Sequence, residues 1–149
     1  MKVVPAAIAA AAAAITLALP VAAHADTLPT ADLAVALHVH QRNGVLTVKA
    51  IGTNLGSDLA EPGVFLDVTS LGTEIKRICT FDSWRMADSS DGRWCEVAGD
   101  MGTGDTADNI LKIRVPHHTK VFIDAKVYAL DADDPNSSND VVMRQLTTK

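Results

Sequence analysis

The chain has 149 residues, with 13 Lys and Arg against 18 Asp and Glu, for a net charge of −5 with His neutral. A mildly acidic chain with no Lys/Arg cluster argues against nucleic acid or an anionic membrane surface as a partner. Its length supports one domain with a real core, and the 48% apolar content is inflated by an alanine-rich start.

That start reads as a secretory signal peptide over residues 1–25. Lys2 supplies a short positive region, and Ile8 to Leu19 is an apolar run too short to span a bilayer comfortably. Ala23-His24-Ala25 then places small residues where a signal peptidase needs them, so cleavage is expected before Asp26. No Cys follows the cut to carry a lipid, and no second long apolar segment follows to span a membrane. Residues 26–149 are expected to form a single domain that is secreted or held in the cell envelope.

Strand patterns dominate this segment. Asp32 to His40 alternates strictly, with Leu33, Val35, Leu37 and Val39 on one face and His38 and His40 on the other. Asn43-Gly44 is a hairpin turn signal, and Val45 to Ile51 returns as a second strand. Gly52 to Gly63, rich in Gly, Asp and Asn, reads as a loop or a pair of turns. Val64 to Ser70 is a third strand, and Glu74 to Phe81 and Arg93 to Ala98 are a fourth and fifth. Gly99 to Thr106 is turn-like. Asn109 to Val115 alternates again, with Leu111, Ile113 and Val115 inward, until Pro116 stops it. Lys120 to Leu130 is a long late strand, Asp131 to Asp140 is all turn chemistry, and Val141 to Leu146 closes the chain's strands. Seven to eight short strands without a helical period imply an all-β antiparallel sandwich.

The fourth and fifth strands carry the only two cysteines, Cys79 and Cys95. In an exported chain such a pair favours a disulfide, which would clamp the two runs together. For an enclosed loop of roughly 15 residues, loop-closure entropy suggests about 3 kcal/mol. A zinc site is the alternative for a Cys pair, but structural zinc sites use closely spaced Cys pairs, which are absent here.

Taken together, these pieces resemble the bacterial immunoglobulin-like modules of surface and secreted proteins, the families called domain of unknown function eleven and the cell-adhesion-related domain (CARDB). Ala31-Asp32-Leu33-Ala34-Val35 is similar to the opening strand of those modules. Leu46-Thr47-Val48 with Gly52-Thr53-Asn54-Leu55-Gly56-Ser57 resembles their second strand and turn. The central cysteines resemble an occasional bond in their central hairpin. Asp133-Asp134-Pro135-Asn136 with Asn139-Asp140 resembles the turn before their last strand. Leu55, the long Trp-containing cysteine loop and the single copy depart from the family pattern. The resemblance implies an immunoglobulin-like fold with adhesion, spacing or display roles, and fold carries over more safely than role.

Candidate sites follow from residue types. His38 and His40 share a strand face, and with His117 and His118 they could gather as ligands for Zn²⁺ or Cu²⁺. The alternative is a polar outward face plus a loop. Asp131, Asp133 and Asp134 offer the hard oxygens calcium prefers, although Asp and Asn also bond their own backbone in turns. Trp84, Arg85 and Met86, in the polar loop Asp82 to Gly92, could anchor a protein or stack on a carbohydrate. Trp84 could equally fold back over the end of the sandwich. There is no Gly-x-Ser-x-Gly elbow, no His-Glu-x-x-His and no phosphate-cradling loop. The sequence thus implies a non-catalytic binding module with no cofactor, and a small exported metal-binding protein is the rival.

Overall fold

Asn43 (φ 52°) and Gly44 (φ 72°) both take the left-handed conformation, as a two-residue hairpin turn requires. They join β1 (Leu33–Arg42) to β2 (Val45–Asn54) in unbroken antiparallel register from Leu33 opposite Asn54 to Arg42 opposite Val45. The computed structural model describes residues 28–81, 84–85, 87–88, 93–96 and 99–149. The expected signal peptide, 1–25, lies outside these residues. Among the described residues, no helix is long and apolar enough to cross a membrane.

The remaining strands are β3 (Pro62–Thr69), β4 (Thr73–Phe81), β5 (Trp84–Arg85), β6 (Ala87–Asp88), β7 (Trp94–Glu96), β8 (Thr106–Arg114), β9 (Lys120–Ala129) and β10 (Val141–Thr147). Among the described residues two sheets result, one ordered β1-β2-β8-β4-β5 and the other β10-β9-β3-β7-β6, with each of these strand pairs antiparallel. Seven of the strands are long, and they divide four and three between the sheets as in an immunoglobulin-like sandwich. Alternation supplies the core. Leu33 and Val35, Leu46 and Val48, Val64 and Leu66, Leu111 and Ile113, and Val121, Ile123 and Val127 are all buried.

The sequence expectation needs two corrections. First, Gly52-Thr53-Asn54 is strand rather than loop. Gly52 pairs with Val35 on one side and Ala107 on the other. A Cβ there would lie 2.9 Å from the Cγ2 atoms of both Val64 and Val127 in the opposite sheet. The glycine marks a close approach of two sheets, which outweighs its turn chemistry. Asn54 is buried for a related reason. Its Nδ2 donates to the carbonyls of Asp58 (2.8 Å) and Met101 (2.8 Å), and its Oδ1 accepts from the Gly56 amide (2.9 Å). One side chain thereby ties two loops to the end of the sandwich.

Second, the two cysteine-bearing runs do not form a hairpin. β4 pairs with β8 and β5, whereas β7 pairs with β3 and β6. The disulfide between Cys79 and Cys95, with Cα atoms 5.5 Å apart, therefore joins one sheet to the other. Loop length alone could not reveal this, because the polar stretch between the cysteines crosses from sheet to sheet through β5 and β6.

Candidate functional site: the stapled edge

β4 reaches the stapled edge through a bulge. Its register against β8 shifts between Glu74 and Lys76, and Ile75 is left 50% exposed. Beyond the bulge, Arg77 and Cys79 share the inward parity. Cys79 is half-buried, and its partner Cys95 is fully buried.

Arg77 extends between the sheets, with a side chain only 9% exposed. Its Nη1 donates to the Leu66 carbonyl at 2.9 Å and to Asn109 Oδ1 at 3.0 Å. Asn109, itself fully buried, uses its Nδ2 to donate to the carbonyls of Val64 and Arg93, both at 2.9 Å. β4, β8 and β3 are thus bridged by a polar network in the same layer as the disulfide. Buried amide and guanidinium groups stay in a core only when their hydrogen bonds are met, and most of these are. The exception is Arg77 Nε, which is buried without a partner.

The sequence reading missed this network, although parity contained it. Asn109 stands two residues before Leu111, and Arg77 two before Cys79, so both fall on inward positions.

The loop proposed for partner contact is placed only in part. Trp84 and Arg85 pair, as β5, with Phe81 and Thr80 of β4, and Ala87 and Asp88 pair, as β6, with Glu96 and Cys95 of β7. Both short strands therefore extend sheet edges beside the staple. Met86 and most of the remaining loop lie outside the described residues.

The other sequence candidates are elsewhere. His38 and His40 are exposed on the outward face of β1. His117 and His118 are exposed in the β8–β9 connection, their ring centroids 6.5 Å apart, and His117 Nδ1 contacts the Lys149 carbonyl. His118 has a left-handed backbone (φ 55°). Among the described residues, no three His, Cys, Asp or Glu side chains are grouped so as to hold a metal ion.

In the Asp-rich turn the side chains do bond backbone. Asp131 Oδ1 accepts from the Glu61 amide at 2.7 Å. Asp134 accepts from Leu33 (2.6 Å) and Asn136 (2.7 Å), and Asp133 exchanges backbone bonds with Pro29 and Ala31. This turn secures the start of β1. Asn139 Nδ2 adds a bond to Asp32 Oδ1 at 3.0 Å. Burial of Asp140 beside Asp134 and Asp32 pushes its carboxyl up to about 6.

No protein-family model matches the sequence, and none of the curated proteins compared with it does. Solved structures do match. The CARDB domain of a Pyrococcus furiosus protein, crystallised in complex with di-metal ions, superposes with a TM-score of 0.50 at 13% identity, covering 83% of this chain and 92% of that one. The N-terminal domain of PorA matches with a TM-score of 0.40 at 12% identity, over 83% of this chain and 90% of that one. The GAE domain of GGA2p from Saccharomyces cerevisiae matches with a TM-score of 0.32 at 14% identity, over 79% of this chain and 90% of that one. Identities this low speak to fold alone. The chain folds as an immunoglobulin-like β-sandwich similar to the CARDB domain, with its two sheets joined by Cys79–Cys95.

Proposed function

We propose that this chain is an exported, non-catalytic binding module that contacts a protein or carbohydrate partner at or outside the cell surface. The observation that carries the reading is the inter-sheet disulfide beside β5 and β6. It joins Cys79 and Cys95, which flank the Asp82–Gly92 loop, across the two sheets, and scaffold-held loops are where recognition is usually built. Trp84, Arg85 and Met86 are the contact residues, an aromatic and a guanidinium of the kind that dominate binding energy. A disulfide that persists in the folded protein fits an oxidising compartment, as the leader-like residues 1–25 imply.

The test is capture of a partner from the producing organism's envelope and medium by the immobilised protein. Trp84→Ala is expected to abolish capture while leaving the melting temperature unchanged. Capture that survives the substitution would remove the loop from the contact surface.

A further inference from the structure

The charges of this chain are sorted between the two ends of the sandwich. At one end the segments 55–61, 99–105 and 130–140 meet, joined by the Ala60–Met101 bridge, the Glu61–Asp131 bond and the Leu130–Glu61 backbone bond. They carry two, two and four carboxylates respectively, and no Lys or Arg. At the other end lie the β1–β2 turn, the β3–β4 turn and the β8–β9 connection. There the Val115 amide donates to the Gly44 carbonyl at 3.0 Å, and Leu71 lines one cleft with Asn43, Gly44 and Arg114. Residues 43–44, 70–72 and 115–119 include no Asp or Glu.

Pairing register gathers cations beside this second end. Arg42 lies opposite Val45, Val45 opposite Arg114, and Arg114 opposite Thr73, one row across four strands. Two residues further in, His40, Thr47, Lys112 and Lys76 form the next row. Between the two rows stand buried Leu46 and Ile113, so by alternation both rows face solvent. Arg42, Lys76, Lys112 and Arg114 are exposed, and among the described residues none of them has an ion-pair partner. Lys49, one row beyond, is matched by Asp108 at 2.6 Å, and the Glu74 carboxylate lies toward Arg77.

A strand of ten residues separates the poles by about 33 Å. That is several times the Debye length of about 8 Å at physiological salt, so the acidic pole does not cancel the basic one. The net charge of −5, which weighs against an anionic surface, is an average over both.

The basic pole also carries apolar side chains in water. Leu71, in the β3–β4 turn, is 87% exposed, and Ile75, at the β4 bulge beside Lys76, is 50% exposed. A hydrophilic polyanion offers nothing to a bare leucine. A lipid surface does, because basic groups meet phosphate headgroups there while apolar side chains reach the acyl boundary.

We propose that this pole docks on an anionic phospholipid surface, with Arg42, Lys76, Lys112 and Arg114 at the headgroup phosphates and Leu71 entering the acyl boundary. The inference goes beyond the binding-module reading. β5 pairs with the last residues of β4, at the opposite end from Thr73, so a docked molecule holds that edge away from lipid. Lipid docking and partner capture therefore use different parts of the molecule and can fail separately.

The test is cosedimentation of the disulfide-intact exported protein with vesicles of phosphatidylglycerol and phosphatidylcholine in equal parts, beside phosphatidylcholine vesicles and soluble dextran sulfate. Binding to the anionic vesicles is expected, and none to phosphatidylcholine alone. Lys112→Gln with Arg114→Gln should weaken it about 25-fold, at about fivefold per cation. Leu71→Ser should leave the melting temperature unchanged, weaken vesicle binding about tenfold, and leave any binding of dextran sulfate as it was.

Failure to bind the anionic vesicles would overturn the proposal. So would binding indifferent to the loss of Lys112 and Arg114, which would place the contact elsewhere on the chain. Vesicle binding insensitive to Leu71→Ser would also sink it, because the pole would then read charge alone and serve an acidic polymer. Arg42→Gln with Lys76→Gln repeats the charge test from other strands should the first pair not fold.

Discussion

Arg77 Nη1 lies 3.0 Å from Asn109 Oδ1 in the space between the two sheets, and each residue also bonds a carbonyl of β3. Neither side chain could be removed without leaving the other short of a partner in a buried site. Asn109→Ala would take a donor from the carbonyls of Val64 and Arg93, the latter still bonded by the Leu66 amide, and an acceptor from a buried guanidinium. The expected cost is about 2–4 kcal/mol, read from urea unfolding monitored by fluorescence. A loss below about 0.5 kcal/mol would mean that water replaces the amide fully.

The staple should contribute mainly through the unfolded chain. Joining β4 to β7 restricts a loop of 16 residues' separation, for which about 3 kcal/mol is expected. Cys79→Ser together with Cys95→Ser, or reduction of the native protein, should lower the unfolding midpoint accordingly. Intact mass with and without reductant and alkylation confirms the bond, and a start at Asp26 in exported material would establish cleavage of the leader.

At Gly52 the sheets approach too closely for a side chain. Gly52→Ala would drive a methyl against Val64 and Val127, and the contacts yield only by shifting both valines. Overpacking of this kind costs about 1–3 kcal/mol, so the variant should melt several degrees lower with its fold retained by circular dichroism. If the midpoint is unchanged, the sheets separate more easily than this packing implies.

Asp140 makes stability depend on pH. Burial, then the neighbouring charge of Asp134, raises its folded-state value from 3.8 to about 6, so the fold favours the protonated acid. The sign follows from linkage. Below about pH 4 the group is protonated in both states and imposes no penalty. As pH rises from about 4 to about 6 the unfolded chain ionises first, stability falls, and the full penalty persists above that window. Asp140→Asn should raise the melting temperature at pH 7.5 and change it little at pH 4. Equal effects at both pH values would assign the gain to something other than ionisation.

The course of the chain was legible wherever one face of a strand is apolar. Leu33, Val35, Leu111, Ile113 and Val115 are inward, as alternation predicts, and Asn43-Gly44 turns where its backbone preferences say it should. Legibility failed where residue type and parity disagreed. Arg77 and Asn109 sit on inward positions, but charged and amide side chains weigh against burial until partners are seen. Gly52 and Asn54 have turn chemistry, and only the ladders on both sides of Gly52 and the pairing of Asn54 with Leu33 hold them in strand.

The sequence by itself determined the class of the protein: strands rather than helices, one core, two cysteines able to bond, and a leader-like N-terminus. These follow from local periodicity and composition, which need no partner in space. Only the tertiary structure decided that Cys79 and Cys95 join different sheets, that Arg77 meets Asn109 between the sheets, and that Asp134 and Asp140 crowd together. Those relationships depend on which strands become neighbours, and that is settled by packing two sheets face to face across residues far apart in the chain.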